Sequence, residues 1–154
     1  MNSENPGPGV RIAAHPVLRV LVSFPIACFC GALATDIVYT RTADMVWADF
    51  SAWLLAAAMF MSVPAVIVGF VDLLANRRVL SQRQVWPIVI GSVLVLVLGL
   101  FDNLVHSRDA WTSVVPAGLV LSAVTVIALL ITVWFGSVRL YRPVVAVQYS
   151  GARP

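Results

Sequence analysis

Charged side chains are scarce in this sequence: they account for 11% of the residues, whereas 60% are hydrophobic. A soluble domain of 154 residues needs a more polar surface than this composition supplies. The sequence has no lysine, so all ten basic residues are arginine, and they flank apolar runs instead of forming a patch. The composition therefore argues against a nucleic-acid partner and predicts a protein whose main partner is the lipid bilayer.

Cysteine and histidine are also rare, with two of each. Cys28 and Cys30 are two residues apart on a predicted helix, where their side chains point in different directions. They therefore neither bridge to each other nor hold one metal ion together, and we interpret them as packing residues. No nucleophile with a neighbouring base, glycine-rich phosphate loop or clustered metal site can be recognised. We therefore predict no catalytic residues and no metal site.

Four apolar runs have the length of about 20 residues that a helix needs to cross a hydrocarbon core of about 30 Å. They cover residues 17–39, 52–74, 86–105 and 114–136. We predict one transmembrane domain over residues 15–142, between a disordered cytoplasmic tail (1–14) and a second cytoplasmic tail (143–154). Short connections and small residues at four-residue spacing predict an all-α membrane protein, an antiparallel up-and-down four-helix transmembrane bundle.

The arginines predict the orientation of the spans. Eight lie in the N-terminal segment, the second connection and the C-terminal segment, and two lie in the first and third connections. Because cytoplasmic loops are enriched in basic residues, both termini are predicted to be cytoplasmic. The use of arginine alone hints at a GC-rich bacterial genome. We therefore expect a multi-pass protein of a bacterial inner membrane.

Ionisable residues within membrane spans are candidate functional residues because their burial is costly. On the predicted cytoplasmic side these are Arg19, at the start of span 1, and Asp72, at the end of span 2. We expect an ion pair between them that joins the two helices. His15 precedes span 1 on the same side, so the three residues form one candidate polar or cofactor site.

A second candidate cluster lies on the predicted outer side. It contains Asp36, Asp102, Asn103, His106 and Arg108. Two carboxylates brought close together could hold a shared proton or a cation. The alternative, which we favour from the sequence, is that each acid pairs with a nearby arginine.

The two histidines bear on haem binding. His15 and His106 are predicted on opposite sides of the membrane, separated by a full span of about 30 Å. They cannot be the two axial ligands of one haem. Either histidine could still serve as a single ligand, and His15 is the one that we consider for haem. A single histidine at the interface more often caps a helix or contacts headgroups, and this applies to His15 and to His106.

Several short motifs occur in a recognisable order along the chain. They are His15-Pro16, Phe24-Pro25-Ile26, Gly31 to Asp36, Gly69 to Asp72, Asn103 to Asp109, Val115-Pro116 with Leu121-Ser122, and Tyr141-Arg142. In this order they resemble a known family of small bacterial membrane proteins, domain of unknown function 2231 (DUF2231). The resemblance covers roughly residues 15 to 147.

This resemblance implies a four-span inner-membrane protein. Some relatives are joined to Rieske-type iron-sulfur domains, which implies a redox neighbourhood. Relatives often have one histidine at the start of the third span and another after the Tyr-Arg of the tail, and with His15 these would form a cytoplasmic cluster suited to haem or metal. This chain has Trp86 and Pro143 near those positions, so only His15 is present.

The sequence leaves three functions open. The first is a non-enzymatic accessory or scaffolding subunit that packs against other membrane subunits or against copies of itself. The second is a haem-associated or redox-associated membrane protein that uses His15. The third is a proton or cation path through Asp36 and Asp102.

Overall fold

The structure is a computed structural model that describes residues 16–75, 83, 85–108 and 114–150. Four helices and no strand occur in these ranges. In chain order they are α1 (Pro16–Thr42), α2 (Met45–Ala75), α3 (Trp86–His106) and α4 (Leu119–Ser150), and a π-helical turn at Val114–Gly118 leads into α4.

All four helices are long and apolar enough to cross a membrane. The candidate spans are Val17–Thr42, Met45–Ala75, Trp86–His106 and Val114–Ser137. Hydrocarbon chains offer no hydrogen-bond partners to backbone N–H and C=O groups. A single apolar run of this length is therefore stable in lipid as a helix, which pairs these groups internally. The prediction of an all-α protein with four membrane-length helices is confirmed.

The connection between α1 and α2 is much shorter than the predicted segment from Thr40 to Ser51. The α1 helix continues to Thr42 and α2 begins at Met45. Asp44 initiates α2, because its Oδ1 accepts a hydrogen bond of 3.1 Å from the backbone N–H of Val46. Hydropathy identifies only the part of a helix that matches the hydrocarbon core, so it missed the polar first turns of α2.

Specific contacts define how the helices pair. Between α1 and α2, Leu18 lies near Gly69 and Gly31 lies against Leu54, so residue numbers rise along α1 as they fall along α2. The same holds between α3 and α4, where Gly91 contacts Thr132 and Asp102 contacts Ser122. These contact orders support the antiparallel arrangement that short loops predict.

The surface of this bundle is apolar and part of its interior is polar, unlike the usual distribution in a soluble protein. Large apolar side chains such as Val20, Trp53, Phe60 and Trp134 are exposed on the outside. Buried polar residues lie inside, and they are Asp36, Ser51, Ser62, Asp102, His106, Ser122 and Thr125. The exterior is therefore suited to contact with lipid chains, and hydrogen-bonding capacity is kept within the protein.

The apolar core lies next to this polar interior. Its buried members are Cys28, Phe29, Ala32, Leu55, Ala58, Val95, Val126 and Leu129. The ring of Phe29 packs directly on Gly99, where an added Cβ would lie 2.7 Å from Cζ of the ring. Glycine at this position therefore lets α1 and α3 approach closely.

Candidate functional site

Four polar side chains from three helices meet near one end of the bundle. Asp36 comes from α1, Asp102 and His106 come from α3, and Ser122 comes from α4. All four are buried, and the two aspartates have 0% exposed surface. We call these four residues the carboxylate cluster. Because they are removed from water, their own hydrogen bonds and protons determine the charge that this site can hold.

Local helix geometry places these side chains. Asp102 and His106 are four residues apart on α3, so they face the same side of that helix. His106 is the last residue of α3, and Ser122 lies in the first α-helical turn of α4. Asp36 lies less than two turns from the end of α1. The cluster is therefore close to one membrane boundary and is covered by the packed helices.

His106 contacts both aspartates. Its Nδ1 is 3.0 Å from the backbone carbonyl oxygen of Asp102 and 3.1 Å from Oδ1 of the same residue. Its Nε2 is 3.1 Å from Oδ1 of Asp36. A carbonyl oxygen only accepts hydrogen bonds, so Nδ1 carries a proton and donates. A proton between Nε2 and Asp36 can then belong to either group.

Ser122 joins the two carboxyl groups. Its Oγ lies 2.6 Å from Oδ2 of Asp36 and 2.9 Å from Oδ2 of Asp102. A hydroxyl group has one proton to donate, whereas an ionised carboxylate only accepts. Both contacts are hydrogen bonds only if one of the two aspartates is itself protonated and donates to Ser122.

The number of protons links these hydrogen bonds to the charge of the cluster. With His106 neutral and protonated at Nδ1, and with both aspartates ionised, the cluster has two negative charges. The three contacts that run from Asp102 through Ser122 and Asp36 to His106 need three protons, of which Ser122 supplies one. Two further protons complete the hydrogen bonds and also neutralise the cluster. Hydrogen bonding and charge therefore favour the same state, which avoids an uncompensated charge in the membrane.

One oxygen of the cluster is left without a hydrogen bond. Oδ1 of Asp102 is buried and has no partner in the described part of the chain that meets hydrogen-bond geometry, although Nδ1 of His106 is 3.1 Å away. Leaving a charged oxygen in this position costs more than leaving the carbonyl oxygen of a neutral acid. An ionised Asp102 would therefore leave a buried charge on this oxygen, whereas a protonated Asp102 would not.

The structure brings together three residues of the predicted outer set, namely Asp36, Asp102 and His106. Asn103 is half-buried on α3 outside the hydrogen-bonded chain, and Arg108 is exposed beyond the end of that helix. We had favoured the interpretation that each acid pairs with a nearby arginine. In the structure the two aspartates contact His106 and Ser122 instead. The reason is geometric: the acids face the bundle interior, where His106 and Ser122 lie.

Two features of the cluster were missed in the sequence. The first is the burial of His106, which we had interpreted as a single histidine at the interface. Its spacing of four residues from Asp102 was the available signal, because that spacing places both side chains on one helix face. The second is Ser122, which together with Gly118 belongs to the small residues at four-residue spacing that we interpreted as positions of close helix packing. A hydroxyl inside a membrane span can also act as a hydrogen-bonding group between helices.

The predicted cytoplasmic-side set has a different outcome. His15 lies outside the described residues. Arg19 is exposed near the start of α1 and Asp72 is half-buried near the end of α2. The neighbouring Leu18 and Gly69 lie close together, so the two charged residues are at a similar level. An ion pair between Arg19 and Asp72 stays a prediction.

Metal coordination requires free donor atoms. Within the described ranges, no group of three or more histidine, cysteine, aspartate or glutamate side chains is arranged to hold a metal ion. In the carboxylate cluster, both ring nitrogens of His106 already contact aspartate oxygens. His106 could bind a metal or haem iron only by giving up one of those contacts.

Comparison with known proteins bears on the family. No curated protein and no solved structure matches this chain. The model of the family described as "Predicted membrane protein (DUF2231)" matches residues 11–149, which is nearly the whole sequence. The protein therefore belongs to this family of predicted membrane proteins.

Proposed function

We propose that this membrane protein binds protons, and that the carboxylate cluster takes up and releases a proton at the membrane boundary near His106. The observation that carries the proposal is the position of the Ser122 hydroxyl between two fully buried carboxyl groups. Two buried carboxyl groups that are bridged by one hydroxyl can share a proton, because ionisation of both would place two like charges in a site removed from water.

The hydrogen-bonded chain supports movement of the proton within the cluster. In one arrangement Asp102 donates to Ser122 and Ser122 donates to Asp36, which is ionised. If Ser122 passes its proton to Asp36 while it receives the proton of Asp102, the donor and acceptor roles are reversed. One O–H bond forms and one breaks at each step, and the total charge stays constant. The negative charge moves from Asp36 to Asp102, away from His106.

The surroundings favour exchange with one side of the membrane. The cluster is close to a helix end at His106, and exposed Ser107 follows directly. In the other direction the interior contains the apolar core, whose largest member is Phe29. Buried hydroxyls in the interior, those of Ser62 and Thr125, donate to backbone carbonyls of their own helices, at Ala58 and Leu121, and do not extend the hydrogen-bonded chain of the cluster. A site open to one boundary therefore agrees better with the packing than a continuous path.

The arginine distribution supports a location and an orientation for this site. In a bacterial inner membrane with both termini in the cytoplasm, the cluster end of the bundle would face the periplasm. The site would then exchange protons with the periplasmic water layer. Reporter fusions at the termini test the orientation, because a reporter active only outside the cytoplasm would contradict it.

The accessory or scaffolding role is the second candidate. It is supported by the large exposed apolar side chains of the helices, such as Trp53 and Phe60. Contact with lipid accounts for the same exposure without any partner protein, so we prefer the proton-binding role. The haem-associated alternative depends on His15, and the engaged ring of His106 offers it no second ligand.

Infrared spectroscopy of the protein in lipid nanodiscs tests the proposal. We expect a carbonyl band from a protonated carboxylic acid at neutral pH, which disappears as the pH is raised. Asp102→Asn and Asp36→Asn should each remove or strongly shift this band. Asp72→Asn, which changes an aspartate outside the cluster, should leave it unchanged.

Two results would contradict proton binding by this cluster. One is a wild-type spectrum without a protonated carboxyl band at neutral pH. The other is a shift in the pH at which the carboxyl band disappears when sodium replaces choline at constant ionic strength, which would assign a cation to the site instead.

A flux measurement tests whether the site is part of a path across the bilayer. Liposomes containing the wild-type protein should conduct protons no faster than empty liposomes. Faster proton flux that Asp36→Asn abolishes would indicate a full path.

A further inference from the structure

A second feature of the molecule is a long groove between α3 and α4. It has a volume of about 1040 Å³ and begins at Arg83, at the end of α3 that is far from His106. Its walls are apolar and include Trp86, Ile90 and Leu94 on α3, with Ile131 and Phe135 on α4. All five side chains are exposed, so the groove is accessible from the lipid-facing surface.

The floor of the groove forms where α3 and α4 approach each other closely at Gly91 and Thr132. Gly91 lies directly against the Thr132 side chain, so that an added Cβ would clash with it. The Thr132 hydroxyl donates a 2.7 Å hydrogen bond to the backbone carbonyl of Ala128. Its hydrogen-bonding capacity is thus used within α4, and the floor is effectively apolar.

The length of the groove matches one leaflet of a bilayer. On α3 it extends from Trp86 to Leu98 and on α4 from Val124 to Phe135. At a rise of about 1.5 Å per residue these segments are about 18 Å long. Half of a hydrocarbon core of about 30 Å is about 15 Å. One lipid acyl chain of the adjacent leaflet therefore fits along it.

The end of the groove is basic and aromatic. Arg83 lines this end, and Trp86 is exposed beside it. The connection from residue 76 to 85 also contains Arg77 and Arg78 and no acidic residue. Arginine attracts anionic headgroups at the membrane surface, and tryptophan prefers the same level of the bilayer. The charge at the mouth of the groove therefore complements a lipid phosphate.

We propose that this groove binds one molecule of an anionic phospholipid, with an acyl chain between α3 and α4 and the phosphate at Arg83. The site is distinct from the proton-binding cluster, since it shares no residue with the cluster and its headgroup end at Arg83 lies at the other end of α3 from His106. The bound lipid would cover the apolar surface between α3 and α4 beside the contact of Gly91 with Thr132.

Native mass spectrometry of the delipidated full chain tests the headgroup. The probes are phosphatidylglycerol and phosphatidylcholine with identical acyl chains. A neighbouring arginine contributes about 1 kcal/mol to binding of an anionic lipid, so we expect about fivefold tighter binding of phosphatidylglycerol. Arg83→Gln should remove this preference and Arg83→Lys should retain it. Equal binding of both lipids to the wild-type protein would overturn the proposal.

A matched pair of leucine variants tests the groove itself. Leu94 lines the groove and Leu100 lies outside it on the same helix, and both are 49% exposed. Leu94→Trp should displace the bound phosphatidylglycerol, whereas Leu100→Trp should leave binding unchanged. If both variants bind lipid as the wild type does, the proposal is wrong. A wild-type dimer that only Leu94→Trp dissociates would likewise overturn it, by assigning the groove to a second copy of the chain.

Discussion

Two neighbouring regions of this bundle are stabilised in different ways. In the carboxylate cluster, α1, α3 and α4 are joined by hydrogen bonds between Asp36, His106 and Ser122. In the adjacent apolar core, α1 and α3 are joined by the close fit of Phe29 on Gly99. Lipid chains are as apolar as the side chains themselves, so hydrophobicity does not drive these helices together. The comparison shows that one region depends on paired polar groups and the other on shape.

The largest expected effect is at the cluster end. Asp36→Ala removes the acceptor that serves both His106 and Ser122. Because two buried donors then lose their partner, we expect a loss of about 3 kcal/mol in the free energy of unfolding. Unfolding in mixed micelles with increasing denaturing detergent measures it.

The control for this variant is Asp72→Ala, because Asp72 is only half-buried and lies near the end of α2. We expect a loss below about 1 kcal/mol for a partly hydrated carboxylate. Equal losses for the two variants would show that the cluster does not stabilise the bundle more than an ordinary acid near the interface.

A smaller effect is expected in the apolar core. Gly99→Ala places a methyl group 2.7 Å from Cζ of Phe29, whose ring is buried and has little room to move. Overpacking of this kind costs about 1–3 kcal/mol. The same unfolding experiment should show a loss of about 2 kcal/mol, and a second substitution, Phe29→Leu, should recover part of it.

Gly69→Ala separates the effect of packing from that of glycine itself. A Cβ at Gly69 would have Leu18 as its nearest neighbour, at 3.9 Å, which is an ordinary contact. Since alanine also favours helix over glycine, this variant should be neutral or slightly stabilising. Loss of stability at Gly69 as large as at Gly99 would contradict close packing as the reason for Gly99.

The smallest effect is expected for Ser122→Ala. It removes one hydroxyl that contacts both aspartates, and interhelical hydrogen bonds in membranes contribute about 0.6 kcal/mol on average. We expect a loss of about 1 kcal/mol. Ser137→Ala is the matched control on α4, because the exposed Ser137 hydroxyl donates within its own helix, to the backbone carbonyl of Trp134. If the two variants are equally stable, Ser122 does not link the helices.

The four spans could be predicted from the sequence because the bilayer imposes the same requirements on each of them. An apolar run must be about 20 residues long and helical, and both properties can be read locally. The early start of α2 at Met45 was missed because polar residues such as Asp49 lie in its first turns. Hydropathy does not distinguish a helix that projects past the hydrocarbon core from a loop.

The candidate site was only partly predictable for a related reason. Asp102 and His106 share a helix face through their spacing, which is local information. The contact of Asp36 with His106 joins residues 70 positions apart, and that of Ser122 with Asp36 joins residues 86 apart. These contacts depend on how each helix is rotated about its axis. A single sequence contains no direct signal for that rotation in helices that are apolar on nearly every side.

The most direct test of the shared proton is solid-state NMR of the protein in lipid, with carbon-13 in the aspartate carboxyl groups. Asp36→Asn and Asp102→Asn identify the two resonances of the cluster. At neutral pH we predict that one of the two carboxyl groups has the chemical shift of a protonated acid. Chemical shifts of two ionised carboxylates would contradict the proposed shared proton.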